Sequence, residues 1–155
     1  MTDSTLSLRP MRESDIDAVY EIECASQFHP WSKQEFLNSL KPHRRAWVIE
    51  QDSQVCAFAV FGLLAGECEL LTIACAANAR RKGFAKTLIE HAFKEINPES
   101  IFLEVRASNT SAQALYEQLD FHEVGLRKNY YPAENNKFED ALIMVWQNPE
   151  AELTL

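Results

Sequence analysis

The chain has 155 residues, 46% of them hydrophobic and 25% charged, with a formal net charge of -8. That length fits one domain with a core able to stand alone, in the balance of a soluble globular protein rather than a disordered one. The acidity argues against a general nucleic-acid binder and suits a basic partner. The longest apolar run, Val55 to Ala65, is too short to cross a bilayer. Met1-Thr2-Asp3-Ser4 has neither the basic start nor the apolar stretch of a secretion signal. A cytoplasmic protein without membrane contact is therefore expected. Cys24, Cys56, Cys68 and Cys75 lie in apolar contexts with no Cys-x-x-Cys pair and no histidine cluster nearby. They read as reduced core thiols and predict no metal site.

In chain order, Leu6-Ser7-Leu8-Arg9-Pro10 alternates as a first strand closed by proline. A helix follows, capped by Ser14 or Asp15, with Ile16, Val19, Tyr20 and Cys24 as its apolar stripe. Phe28-His29-Pro30-Trp31 is an aromatic loop in which His29 reads as structural or surface. Ser32-Lys33-Gln34-Glu35 is a capping box opening a short helix through Leu40. Arg45 to Glu50 and Gln54 to Leu63 are two strands joined at Asp52-Ser53, and a third begins near Glu67, making a meander. No repeat or linker interrupts the chain, which predicts a single domain over residues 1–147 and a loose tail over residues 148–155.

The stretch from Ile73 to Leu88 reads as strand, turn and helix. Phe84, Leu88, Ile89, Ala92, Phe93 and Ile96 recur at helical spacing, and the turn before them carries Arg80, Arg81, Lys82 and Lys86 around Gly83. A helix starting in such a turn aims unpaired amides and the positive end of its dipole at one point. Gly83 and Ala85 let the backbone come close to a guest there. A diphosphate site and a solvated charged turn are both consistent with this spacing.

Past the turn at Asn97-Pro98-Glu99-Ser100, Ile101 to Arg106 is a near-continuous apolar strand, the pattern of one buried on both faces. Glu104 is the acid in its middle. It reads either as a general base poised by desolvation, or as a carboxylate paired with Arg106 on the same face or reaching water at a gap in the sheet. Ser108-Asn109 caps a helix from Thr110 to Leu119, whose stripe is Ala112, Leu115, Tyr116 and Leu119. Tyr116 is a packing residue or a proton donor by position alone. Phe121 to Asn129 and Phe138 to Trp146 then pair as closing strands, with Tyr130-Tyr131-Pro132 and residues 133–137 as the loop between them.

Arg80-Arg81-Lys82-Gly83-Phe84-Ala85 resembles the Gln/Arg-x-x-Gly-x-Gly/Ala signature of the Gcn5-related N-acetyltransferases. Pro30-Trp31-Ser32, Leu103-Glu104-Val105-Arg106-Ala107-Ser108-Asn109, the run from Ala114 to Phe121, Arg127 to Pro132 and Phe138-Glu139-Asp140-Ala141 closely resemble the bacterial ribosomal-protein-alanine N-acetyltransferases. The likeness spans Leu8 to Met144. It implies an α/β (α+β) single-domain fold, with a mixed, mainly antiparallel sheet splayed between the Ile73 and Ile101 strands and flanked by about four helices. It implies acetyl-CoA as co-substrate, with Ile73, Ala74 and Cys75 pairing with its pantetheine arm. Arg81, Lys82, Gly83, Phe84, Ala85 and Lys86 would hold its phosphates, and Asn109 would also touch it.

In the same family Glu104 is implied as proton acceptor and Tyr116 as proton donor to the coenzyme thiol. Tyr130, Tyr131, Glu139 and Asp140 are implied candidates for the acceptor pocket. The implied acceptor is the amino-terminal alanine of the eighteenth small-subunit ribosomal protein, presented on a basic tail, with no direct contact to nucleic acid. A small-amine or lysine acetyltransferase, and a coenzyme-binding regulatory module without turnover, are the alternatives. Asp120 stands where the family usually has glycine, which puts the conformation of that turn in question. Ala76-Ala77 replaces a more polar pair.

Overall fold

A computed structural model describes residues 5–151. Within them the chain forms β1 (Leu6–Pro10), α1 (Ile16–Ser26), α2 (Lys33–Asn38), β2 (Arg44–Gln51), β3 (Gln54–Leu64), β4 (Glu67–Cys75), α3 (Phe84–Glu95), β5 (Ser100–Arg106), α4 (Thr110–Gln118), β6 (His122–Pro132) and β7 (Phe138–Gln147). The seven strands make one sheet in the order β1-β2-β3-β4-β5-β7-β6. Its pairings are antiparallel except at β4–β5, which run parallel. The mixed, mainly antiparallel sheet with four helices is thus as expected.

Each helix starts and packs for a local reason. Ser32 Oγ accepts from Glu35 N at 3.2 Å and opens α2, and Asn109 Oδ1 accepts from Ala112 N at 3.2 Å and opens α4. Phe84, Leu88, Ile89 and Ala92 bury one face of α3 against Ala59, Phe61, Leu103 and Met144. Each large apolar side chain so buried contributes roughly 1.5–3 kcal/mol. On the other sheet face, Ile16, Val19 and Ile22 of α1 and Phe36 of α2 pack on Val48, Phe58 and Val60. At the hairpin between β2 and β3, Asp52 and Ser53 both take positive φ (52° and 68°) in a two-residue loop. That handedness matches the strand twist.

Several expectations are corrected. Asp15 does not cap α1 with its side chain; its carboxylate accepts from Arg9 at 2.8 and 2.9 Å and from Arg12 N at 2.8 Å, tying β1 to the start of α1. Cys24 is exposed, while Cys56 and Cys68 are buried and Cys75 is half-buried, all four as free thiols. The stripe of α1 runs through Ile22 and Glu23 instead. β5 is not sealed on both faces: Ile101, Leu103 and Val105 are buried, while Phe102, Glu104 and Arg106 are only half-buried, and beside the last two the pairing with β4 has ended. Tyr130, Tyr131 and Pro132 belong to β6 rather than to the loop, since a register break between Arg127 and Tyr131 with Asn129 at φ 53° lets pairing resume. Asn148 is buried, with its amide donating to Asn97 Oδ1 (2.9 Å) and Pro98 O (3.0 Å), so the chain is still anchored there. The expectation for residues 152–155 lies outside the described residues.

The turn put in question at Asp120 is formed with Asp120 at φ 69°. Phe121 N donates to Tyr116 O at 2.9 Å and Asp120 N to Glu117 O at 3.0 Å. This is the paired-bond ending that satisfies the last carbonyls of a helix.

Candidate active site

The sheet splays where expected. β4 and β5 are in register only over Cys68–Leu70 with Ile101–Leu103. Past Leu70 the two strands diverge, and the gap is a cleft of ≈ 580 Å³. Its walls are β4 from Leu70 to Cys75, β5 from Leu103 to Arg106, Asn109, Ala112 and Tyr116 from the α4 region, and Glu23, His29 and Trp31 from α1 and the loop after it. Opposite Val60 and Phe61 the β3–β4 register slips, with Phe61 facing Leu70 and Val60 facing Thr72, so Leu71 is an extra residue in β4. Bulges of this kind re-aim backbone groups beside active sites. Here it falls at the fork of the splay.

Of the residues predicted to hold the coenzyme, Ile73, Ala74, Cys75, Ala85 and Asn109 line this cleft, as does Arg80. Asn109 also serves as the cap of α4. Gly83 precedes α3 at φ 78°, and a Cβ built there meets nothing within 4 Å, so the space in front of the helix start is open. Arg81 is also left-handed, at φ 64°. Arg81, Lys82 and Lys86 flank the opening without lining the cleft, and Lys82 Nζ donates to Gln51 Oε1 at 3.3 Å. Phe84 is turned into the core, which leaves its main chain as its contribution to any ligand there. The Cys75 thiol is pushed up by burial, with a main-chain hydrogen bond from Ala85 opposing. These features fit a diphosphate-bearing thiol carrier: exposed helix-start amides amid cations, a strand edge unpaired by β5, and a slot for a chain between them. Among the described residues, no group of three or more His, Cys, Asp or Glu side chains is arranged to hold a metal.

Glu104 lies in the cleft wall with its side chain 12% exposed, and its partner is not Arg106. Arg127 of β6, its side chain 54% exposed, forms an ion pair with Glu104, with Nε 3.1 Å from Oε1. Arg106 is committed elsewhere, donating to Pro132 O and Glu139 Oε1, both at 2.9 Å. Its guanidinium stands 4.5 Å from the centre of the Tyr131 ring. The Tyr131 hydroxyl donates to Glu104 O at 3.1 Å, and burial and the nearby Glu104 charge push its phenol up to about 12. Burial, and then the nearby Glu104 charge, also raise the Tyr130 phenol. Glu69 on β4 is raised by burial and then by the Glu104 charge, with Arg127 opposing.

Tyr116 lines the cleft from α4 and is 6% exposed. Burial holds its phenol well above the ordinary tyrosine value. A phenol so placed keeps its proton, which suits a donor. The predicted base and the predicted acid therefore share one cavity.

The acceptor candidates divide. Tyr131 lines the cleft and the Tyr130 ring stands edge-on to that of Tyr131 at 5.0 Å, but Glu139 accepts from Arg106 and Ser108, and Asp140 Oδ1 accepts from Asn129 N at 2.9 Å. Glu139 thus ties β7 to the end of β5, and Asp140 braces the β6–β7 hairpin. Sequence reasoning did not single out Arg127 or Glu23. Arg127 sits 23 positions beyond Glu104, and only the β5-β7-β6 strand order brings them together. Glu23 occurs inside an apolar stripe, and an acid at a core position was the available signal.

A sheet forked at its one parallel pair, with a basic helix start on one side and a carboxylate and a phenol inside, defines an acyl-coenzyme A-dependent transferase site. The chain belongs to the acetyltransferase (GNAT) family, whose model matches residues 14–121. It is 34% identical over 141 residues to the [ribosomal protein bS18]-alanine N-acetyltransferase of Escherichia coli strain K12, covering 89% of this chain and 95% of the relative. The crystal structure of the ribosomal-protein-S18-alanine N-acetyltransferase from Escherichia coli superposes with a TM-score of 0.86 at 33% identity, covering 93% of this chain and 94% of that one. Arabidopsis thaliana NAA60 in complex with acetyl-CoA shares the fold, with a TM-score of 0.84 at 19% identity over 92% of this chain and 98% of that one.

Proposed function

We propose that this chain moves the acetyl group of acetyl-CoA directly onto the N-terminal α-amine of a protein, the acceptor being the N-terminal alanine of ribosomal protein bS18. The observation that carries this reading is the joint placement of Glu104 and Tyr116 in the fork between β4 and β5. The relatives named for that substrate support the choice of acceptor. A ribosomal substrate puts the reaction in the cytoplasm, and no helix among the described residues is long and apolar enough to cross a membrane. A basic acceptor tail complements the net charge of -8.

The chemistry needs two proton movements. An α-amine has a pKa of about 7.7–8.0 and must be neutral to attack. Glu104 takes its proton, directly or through water, while the ion pair with Arg127 orients the carboxylate. Bound acetyl-CoA supplies an activated thioester. A main-chain amide on the splayed edge of β4, left unpaired by β5, donates to the carbonyl oxygen as negative charge builds on it. The new carbon–nitrogen bond forms as the carbon–sulfur bond breaks, and Tyr116 gives its proton to the departing sulfur. Cys75 stays a thiol and forms no acyl-enzyme.

The test is a substrate panel read by mass spectrometry. A peptide beginning with alanine, a polyamine and an amino-blocked peptide containing lysine are each incubated with the enzyme and acetyl-CoA. Gain of one acetyl group by the alanine peptide alone is expected. Preference for the polyamine or the lysine peptide would assign the chain to the other acceptor class, and no transfer to any would leave only coenzyme binding.

A further inference from the structure

Glu23 is the most completely buried acid among the described residues at 1% exposure, and it lines the cleft. It has no part in the proton movements above. Burying a carboxylate costs several kcal/mol unless donors meet it, so its partners identify its task. Oε2 accepts from Trp31 N at 2.9 Å and Oε1 accepts from Thr72 Oγ1 at 2.8 Å. The main-chain carbonyl of the same residue accepts from Gln27 N at 2.9 Å. One residue thus holds both ends of the loop between α1 and α2, and bolts that loop to β4 at the position following the extra residue Leu71.

The two things joined are opposite walls of one opening. Gln27, His29 and Trp31 line the cleft from the loop side, on the sheet face where Glu104 also emerges. This loop contains no helix or strand to fix its shape. Its Phe28 is more than half exposed, though Arg106 stands 5.6 Å from its ring centre. We infer that Glu23 is a positioning residue that clamps the loop to β4 and so sets the width of the mouth through which the acceptor amine reaches Glu104. Neither oxygen faces open solvent, so Glu23 acts on the substrate through Trp31 and Thr72 and does not touch it. The end of the cleft at Gly83 and the start of α3, where the coenzyme phosphates would be held, makes no contact with this clamp among the described residues.

The inference rests on the acceptor being a peptide amine, and the experiment separates the two. Steady-state kinetics with an alanine-starting peptide, together with acetyl-CoA affinity by calorimetry, are measured for wild type, Glu23→Ala, Glu23→Gln, Thr72→Val and Thr72→Ser. Glutamine keeps the shape and accepts from Trp31 N while donating to Thr72 Oγ1, so it preserves the clamp without the charge. Expected is a rise in peptide KM of about tenfold for Glu23→Ala, with kcat and acetyl-CoA affinity within about twofold, and recovery in Glu23→Gln. Thr72→Val repeats the rise and Thr72→Ser does not, which carries the same test if Glu23→Ala fails to fold. Glu23→Gln as impaired as Glu23→Ala would overturn the clamp, as would unchanged peptide KM in Thr72→Val, or loss of acetyl-CoA affinity equal to that of peptide. A wild-type enzyme that acetylates no peptide would defeat the functional reading, and the clamp's role with it.

Discussion

At the residue scale the proposed reaction rests on two groups with separable duties. Glu104→Gln keeps the size of the side chain and removes the base, so kcat should fall by about 100-fold, with acetyl-CoA affinity within about twofold. Tyr116→Phe should lower kcat in the same way while leaving KM for both substrates nearly unchanged. Pre-steady-state and calorimetric measurements on the two variants check this; loss of acetyl-CoA binding along with turnover would make them structural residues. Because burial raises the Tyr116 phenol, the donor stays protonated to above pH 10, and no alkaline loss of kcat from this group is expected below that. Position alone marked Glu104 as a lone acid in an apolar strand and Tyr116 as a stripe residue that packs or donates; the roles proposed for them come from the family resemblance. Arg127 was not legible, because a partner from a strand two places away in the sheet leaves no local pattern. Arg106, the nearer and more plausible partner by sequence, is drawn to Glu139 by the β5–β7 pairing.

At the scale of elements, the helix start before α3 and the helix end after α4 both use left-handed residues, one suited to it and one not. Gly83 has room for a side chain but sits at φ 78°, so Gly83→Val strains the backbone by roughly 1–2 kcal/mol without a clash. Reshaping this turn misaims the helix-start amides, and acetyl-CoA Kd should rise about tenfold by calorimetry, which corresponds to about 1.4 kcal/mol. Unchanged affinity would remove the phosphate role from the turn. Asp120→Gly should do the reverse for stability. Asp120 holds φ 69° inside the paired-bond ending of α4, and glycine relieves about 1 kcal/mol there. Thermal unfolding should shift up by about 2–4 °C with kinetics unchanged. Most elements were readable because hydrophobic period and caps agree in them. The end of β6 was hidden by Asn129 and Pro132, which read as turn signals, although a bulge and an edge position accommodate both.

At the scale of the whole molecule, charge distribution decides both how the fold responds to acid and how the acceptor arrives. Asp15 is buried and its carboxyl lies below the usual range because of its bonds to Arg9, which also pairs with Glu50 on β2. A lowered native pKa means stability that is complete above the unfolded value near 3.9 and is lost as pH falls through the native one. Asp15→Asn should therefore cost about 1.5–3 kcal/mol at neutral pH. That cost should shrink in denaturant titrations taken below about pH 4. The net charge of -8 acts at longer range. A cationic acceptor tail approaching an acidic surface is steered by a field that extends about 30 Å at about 0.01 M salt and about 8 Å at about 0.15 M. Peptide KM should rise over that interval for an alanine-starting peptide rich in lysine or arginine, and stay nearly flat for one of the same length without charge. In the proposed site, acetyl-CoA, itself anionic, would meet the cations of the turn before α3 at close range, where the attraction is local and partly through amides. Its KM should therefore change less than that of the basic peptide. Equal salt slopes for the two peptides would mean that the amine end alone is recognised and that the acidity of the chain has no part in choosing its partner.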